Sequence, residues 1–126
     1  MKTIRIAYYI VLSLFTLMML FSVFNYFANH DAMAEGFEAL GFPAYLVYPL
    51  AIAKALGVIA IWVKRPATLK EWAYAGFFYD FILAFSAHIN AGDGNAMGPV
   101  VALVLLAAVY FLEKRLVAAR SLATVA

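Results

Sequence analysis

The chain has 126 residues, 67% of them hydrophobic and only 13% charged, with a mean hydropathy of +0.93 and a formal net charge of +2. Soluble globular domains carry roughly a quarter charged residues and about half apolar ones, so this composition is that of an integral membrane protein, short enough to be one domain spanning 1–126. There is no cysteine, which excludes thiol–disulfide chemistry, thiolate metal sites and Fe–S clusters within the chain.

A bilayer core of about 30 Å takes about 20 helical residues to cross, and four stretches qualify. The first, IAYYIVLSLFTLMMLFSVFNYF, predicts a span over 6–27. With MKTIR before it and Ala32-Met-Ala34 after it, the segment imitates a signal peptide. Its apolar run is longer than the usual 7–15 residues of such a leader, so a retained span is expected. Next, AMAEGFEALGF puts Met33, Phe37 and Leu40 at helical spacing with Glu35 and Glu38 turned away, which predicts a short helix over 32–40 lying in the membrane interface.

The second span is expected over 44–63, stopped by Pro66 beyond Lys64. Thr68-Leu69-Lys70-Glu71 has the capping-box pattern, followed by a third span over 72–89. The turn-rich loop 90–95 leads to a fourth span over 96–112, with Pro99 in its first turn, where a missing N–H costs nothing. The expected fold is therefore all-α, a four-transmembrane-helix antiparallel bundle with one interfacial helix.

Basic residues orient such a bundle. Lys2, Arg5, Lys64, Arg65, Lys70, Lys114, Arg115 and Arg120 fall on one side, whereas the other side carries only Asp31, Glu35, Glu38 and Asp93. Eight of the nine cations thus agree on one topology with both termini cytoplasmic, in a plasma (inner) membrane. Tyr8, Tyr9, Trp62, Trp72 and Tyr74 then sit at the inner interface, and Tyr26, Tyr45 and Tyr48 at the outer.

The ninth cation is Lys54, inside AIAKALGVIAIW. It lies ten residues before Lys64, and Asp80 lies ten after Lys70. At 1.5 Å per residue both stand roughly 15 Å above the same basic loop, near the midplane. A lone charge there costs about 2.5–3.5 kcal/mol on insertion scales, which predicts a Lys54–Asp80 ion pair. The pair either fixes the register of two helices or lines a cavity for a ligand or a proton.

His88 lies two turns beyond Asp80, at the outer level shared by Asn25, with His30, Ser86 and Asp93 as an outer-surface polar cluster. It is either an interfacial residue or a ligand-contacting, proton-handling one, given that histidine titrates near neutrality. No metal-ligand spacing is present. Phe77, Phe78, Tyr79, Phe81 and Phe85 either wall a flat hydrophobic ligand such as a quinone or face lipid and fill the bundle. Ala53 and Gly57, four apart, permit a close helix approach.

Several of these residues together carry a resemblance. Gly41-Phe-Pro-Ala-Tyr45, Lys54-Ala-Leu-Gly57, Pro66, Leu69-Lys-Glu-Trp-Ala-Tyr-Ala-Gly76, Asp80, Ser86-Ala-His88 and Gly92-Asp93 are similar to the DoxX-like family of small four-span membrane proteins, over residues 36–112. The resemblance implies a membrane bundle whose broader group includes small subunits of quinone-reducing sulfur oxidoreductases and partners in membrane redox complexes. It transfers no catalytic residue.

Three functions follow as expectations. The first is a subunit or accessory of a membrane redox system, binding quinone or another lipid-soluble ligand near Lys54 and Asp80. It would have no intrinsic cofactor, so redox chemistry would need the quinone or a redox partner protein. The second is a proton-coupled transporter or channel component, for which four spans would need to homo-oligomerise. The third is a non-catalytic assembly protein with a structural ion pair. The candidate ligand-binding or proton-handling residues are Lys54, Asp80, His88, Asn25 and Tyr79. Partners are the bilayer and proteins within it rather than nucleic acid, since no basic aromatic stripe is present.

Overall fold

A computed structural model of the chain describes residues 2–63 and 67–125. It is all-α: α1 (Lys2–Ala28), α2 (His30–Ala39), a short 3-10 turn (Ala44–Leu46), α3 (Val47–Trp62), α4 (Ala67–Ala91) and α5 (Met97–Val125). Among the described residues two segments, Lys2–Ala28 and Ala44–Trp62, are long and apolar enough to cross a membrane.

The four long helices form a closed ring in which α1 and α4 each pack against both α3 and α5. A single seam of side chains holds the ring. Tyr8, Leu12, Phe15 and Met19 recur on α1 at the three- and four-residue spacing of one helical face. They meet Val58 and Ile61 of α3, Tyr74, Phe77 and Phe81 of α4, and Ala102, Leu106, Val109 and Leu116 of α5. At its centre three rings form a layer, with Phe15 edge-on to Phe77 at 5.2 Å and Phe77 stacked on Phe81 at 5.7 Å. The opposite faces of the helices are as apolar as the seam. Phe21 is 70% exposed, and Leu17, Phe24, Leu56, Ile59, Val104 and Phe111 are also turned outward. So much outward apolar surface suits a hydrocarbon solvent rather than water.

The expected short helix is α2, starting at His30 rather than residue 32. Asn29 breaks it from α1 with φ −119° and ψ 44°. It ends in a glycine cap: Gly41 takes φ +89°, the Phe42 N–H donates to the Phe37 carbonyl at 2.8 Å, and the two rings pack at 6.2 Å. This is the hydrogen bond and apolar contact that a left-handed glycine closes at a helix end. The other boundaries shift more. Thr68 lies within α4 rather than capping it, and Glu71 is free to pair with Lys114 of α5. α5 continues well past residue 112, because nothing in Lys114-Arg115-Leu116-Val117 disfavours a helix. Lys64, Arg65 and Pro66, on which the expected end of the second span rests, lie outside the described residues.

The glycine of the small-residue pair is used within the chain. A Cβ on Gly57 would stand 2.8 Å from the Phe77 ring, so glycine there lets α4's aromatic layer close onto α3.

Candidate functional site

The ring of helices is tight at one end and open at the other. At the open end a cavity of about 610 Å³ lies inside the bundle, bounded by all five helices. Met33 and Phe37 of α2, and Leu40 at its C-cap, line it, so the amphipathic helix turns its apolar face onto the cavity and its glutamates outward. Met18, Met19, Leu50, Phe81 and Ala102 supply further apolar wall.

Its polar end is built around Lys54. The ammonium donates to Ser22 Oγ at 3.1 Å and to the Tyr26 hydroxyl at 3.0 Å, and stands 4.5 Å above the Tyr26 ring. Asp80 Oδ2 is 4.0 Å away, too far for a hydrogen bond. The side chains are 11% and 21% exposed, so the two charges are largely withdrawn from the surroundings. An ammonium has three N–H donors, and the two hydroxyls take two of them. Asp80 accepts no hydrogen bond among the described residues. The polar end therefore offers a bound molecule one donor beside one acceptor, with the two formal charges cancelling.

Of the expected site residues, Lys54, Asp80, His88 and Asn25 all line this cavity. His88 Nδ1 is held by Asp93 Oδ2 at 2.7 Å, and Asp93 also accepts the Asn95 N–H at 2.9 Å. These bonds keep the Asp93 carboxyl below the ordinary carboxylate range, the backbone N–H contributing most. Asn25 donates to the Phe21 carbonyl and accepts from Asn29. Tyr79 is the correction. Its ring is 70% exposed and packs edge-on to Phe78, because one residue along a helix is a rotation of about 100°. Phe81, one residue past Asp80 on the other side, faces inward instead.

The expected outer cluster does not assemble as one unit. His30 stacks on Tyr48 at 4.3 Å and lies 3.6 Å from Asp31, Asp93 pairs with His88, and Ser86 is exposed. No hydrogen bond or ion pair joins the three among the described residues.

Sequence reasoning missed two groups. Ser22 and Tyr26 are four apart on one face of α1, and that spacing was the available signal for a partner to Lys54. The second group lies at the closed end. Glu113, the single acidic residue of α5, accepts from Lys70 Nζ at 3.1 Å, from the Tyr74 hydroxyl at 2.5 Å and from the Tyr8 hydroxyl at 3.5 Å. Beside Lys114 and Arg115 it reads in sequence as part of a charged helix end, yet its side chain is only 14% exposed.

The sequence model of the DoxX-like family matches residues 10–110, most of the chain. No curated protein and no solved structure matches.

Proposed function

The chain belongs to the DoxX-like family of small membrane proteins, and from that premise we propose that it binds a lipid-soluble molecule with a neutral, oxygen-bearing head in the cavity floored by Lys54 and Asp80. The observation that carries this reading is the pairing of an apolar cavity of about 610 Å³ with one free donor and one free acceptor at its end. A quinone fits that chemistry. Its carbonyl would accept from the Lys54 ammonium, and a quinol hydroxyl would donate to Asp80. Cancelled charge at the site disfavours an anionic head, which would face the Asp80 carboxylate. In this reading α1, α3, α4 and α5 all cross the bilayer, α4 and α5 being 25 and 29 residues long. That exceeds the roughly 20 residues a span requires. α2 lies in the outer interface, and both termini are cytoplasmic because Lys2, Arg5, Lys70, Lys114 and Arg115 gather at the closed end. The protein then serves as a quinone-handling subunit or accessory of a membrane redox system, its electrons coming from a partner protein.

Transport of protons through the bundle is the weaker reading. The layer of Phe15, Phe77 and Phe81 separates the Lys54 site from the Glu113 group, and a packed aromatic layer offers no hydrogen-bonded path. A purely structural ion pair is disfavoured by its 4.0 Å separation and by the empty space beside it.

The test is fluorescence of the two tryptophans in lipid nanodiscs titrated with a benzoquinone. Saturable quenching is expected in the unmodified protein, weakened about tenfold or more in Lys54→Met, the loss of one hydrogen bond to a charged group. Quenching that is unsaturable, and equal in the two proteins, would sink the reading.

A further inference from the structure

A second cavity, of about 200 Å³, lies between α3 and α4. It shares four lining residues with the first: Leu50, Ala53, Lys54 and Asp80. The ion pair and its two apolar neighbours are thus the partition between the two spaces. The remaining wall is made of Gly57, Trp72, Ala73, Gly76 and Phe77. Ala53, Trp72 and Gly76 are exposed on the outside of the bundle, so this space opens sideways, between two helices, at the depth of Lys54.

Gly57 does not create the opening, because the Phe77 ring already fills the room beside it. Gly76 does contribute, since a Cβ there would meet nothing within 4 Å. The groove is therefore open where α4 carries no side chain, one turn before Asp80.

We propose that this groove is a lateral portal holding the hydrocarbon chain of the molecule bound in the main cavity. The ligand class is then a long single-chain lipid with a neutral oxygen-bearing ring as its head. The head lies beside Lys54 and Asp80, and the chain passes over Leu50 and Ala53 and leaves between α3 and α4 into the bilayer. The inference rests on the functional reading above and adds the direction of the chain. Physical cost decides that direction. At the other end the cavity finishes at His88 and Asn25 under α2, where a chain would emerge toward water at about 0.8 kcal/mol per CH₂ exposed. Through the groove it passes from an apolar wall directly into lipid, at no such cost.

The experiment compares two probes in nanodiscs, both titrated by mole fraction in the lipid. One is a benzoquinone with a long isoprenoid chain, the other the same ring with a methyl group in its place. Unmodified protein is expected to bind both with similar affinity, since a chain moving from lipid to an apolar groove gains little. Gly76→Phe adds a ring to the groove at a position where a Cβ meets no neighbour. It should still bind the methyl quinone, which reports an intact fold, and lose about tenfold or more in affinity for the chained one. Equal binding of both probes by Gly76→Phe overturns the portal. So does selective loss of the chained quinone in Gly98→Phe, at the α2 end of the main cavity, with none in Gly76→Phe. Failure of both probes to bind the unmodified protein in a Lys54-dependent way overturns the functional reading itself, and the portal with it.

Discussion

Of the three lysine–carboxylate pairs that join neighbouring helices among the described residues, the two least exposed are built on opposite principles. At the closed end Lys70 and Glu113 stand 3.1 Å apart, with the Tyr74 and Tyr8 hydroxyls completing the carboxylate's second oxygen. Neither cavity is lined by any of these four residues. At the open end Lys54 and Asp80 stand 4.0 Å apart, the lysine is held by hydroxyls of a third helix, and both cavities reach the pair. A carboxylate with both oxygens hydrogen-bonded resists change and ties helices together. One with an open acceptor and space beside it is arranged for something else to arrive. The same residue types thus serve stability in one place and binding in the other, and the deciding variable is the space left around them.

The largest expected effect is on that contrast in stability. Glu113→Ala strands the Lys70 ammonium and removes the acceptor of the Tyr74 hydroxyl, and breaking such a pair costs about 3–5 kcal/mol. Asp80→Asn leaves Lys54 bonded to Ser22 and Tyr26 and breaks no hydrogen bond, so it should cost less, at most the about 2.5–3.5 kcal/mol of a lone charge in the membrane. Thermal unfolding in one detergent, followed by circular dichroism, ranks the two. An Asp80→Asn protein as unstable as Glu113→Ala would collapse the distinction between the two pairs.

A smaller and sharper effect concerns the tyrosines. Tyr74→Phe removes a 2.5 Å hydrogen bond to a carboxylate and should cost about 1.5–3 kcal/mol, as bonds to charged groups do. Tyr26→Phe keeps its ring beneath the Lys54 ammonium and leaves Ser22 as a partner, so its cost should fall at the low end of that range, about 1.5 kcal/mol. Its main consequence should be altered quinone affinity, because a released N–H changes what Lys54 offers the ligand. If Tyr26→Phe destabilised as much as Tyr74→Phe with no effect on binding, Tyr26 would belong to the structural class instead.

This asymmetry explains what could be read from the chain beforehand. Helices, their order and the approach of Lys54 to Asp80 follow from periodicity and from spacing along the chain, both one-dimensional quantities. Which helix reaches Lys54 first does not. The lysine stem spans several ångströms, and Ser22 and Tyr26 are found only once α1 is known to pack beside α3. Glu113 is hidden for a related reason. A glutamate beside Lys114 and Arg115 has the sequence context of a solvated helix end, and only the approach of α1 and α4 encloses it. Tyr79 shows the reverse error, since aromatic content near Asp80 says nothing about the face on which each ring falls.

The smallest effect separates the two ends by pH. Asp93, at the open end, has its carboxyl lowered by the Asn95 N–H and by His88. A lowered carboxyl stabilises the folded state fully above the unfolded value of about 3.9 and loses that contribution as pH falls through its lower folded value. Lys114, at the closed end, is raised by its hydrogen bond to Glu71. Its contribution is complete below about 10.4 and fades as pH rises through the higher folded value. Acid should therefore loosen the 90–95 loop and the His88 edge of the cavity, and alkali the α4–α5 contact. Amide hydrogen exchange at matched intrinsic rates separates the two regions. Asp93→Asn should remove the acid-dependent step and leave the alkaline one, and Glu71→Gln should do the opposite. Both groups are solvent-exposed, so each step should also shrink with added salt. Loss of both steps in either single variant would mean that the two ends open together, and that the bundle behaves as one cooperative unit rather than a rigid clamp carrying an open site.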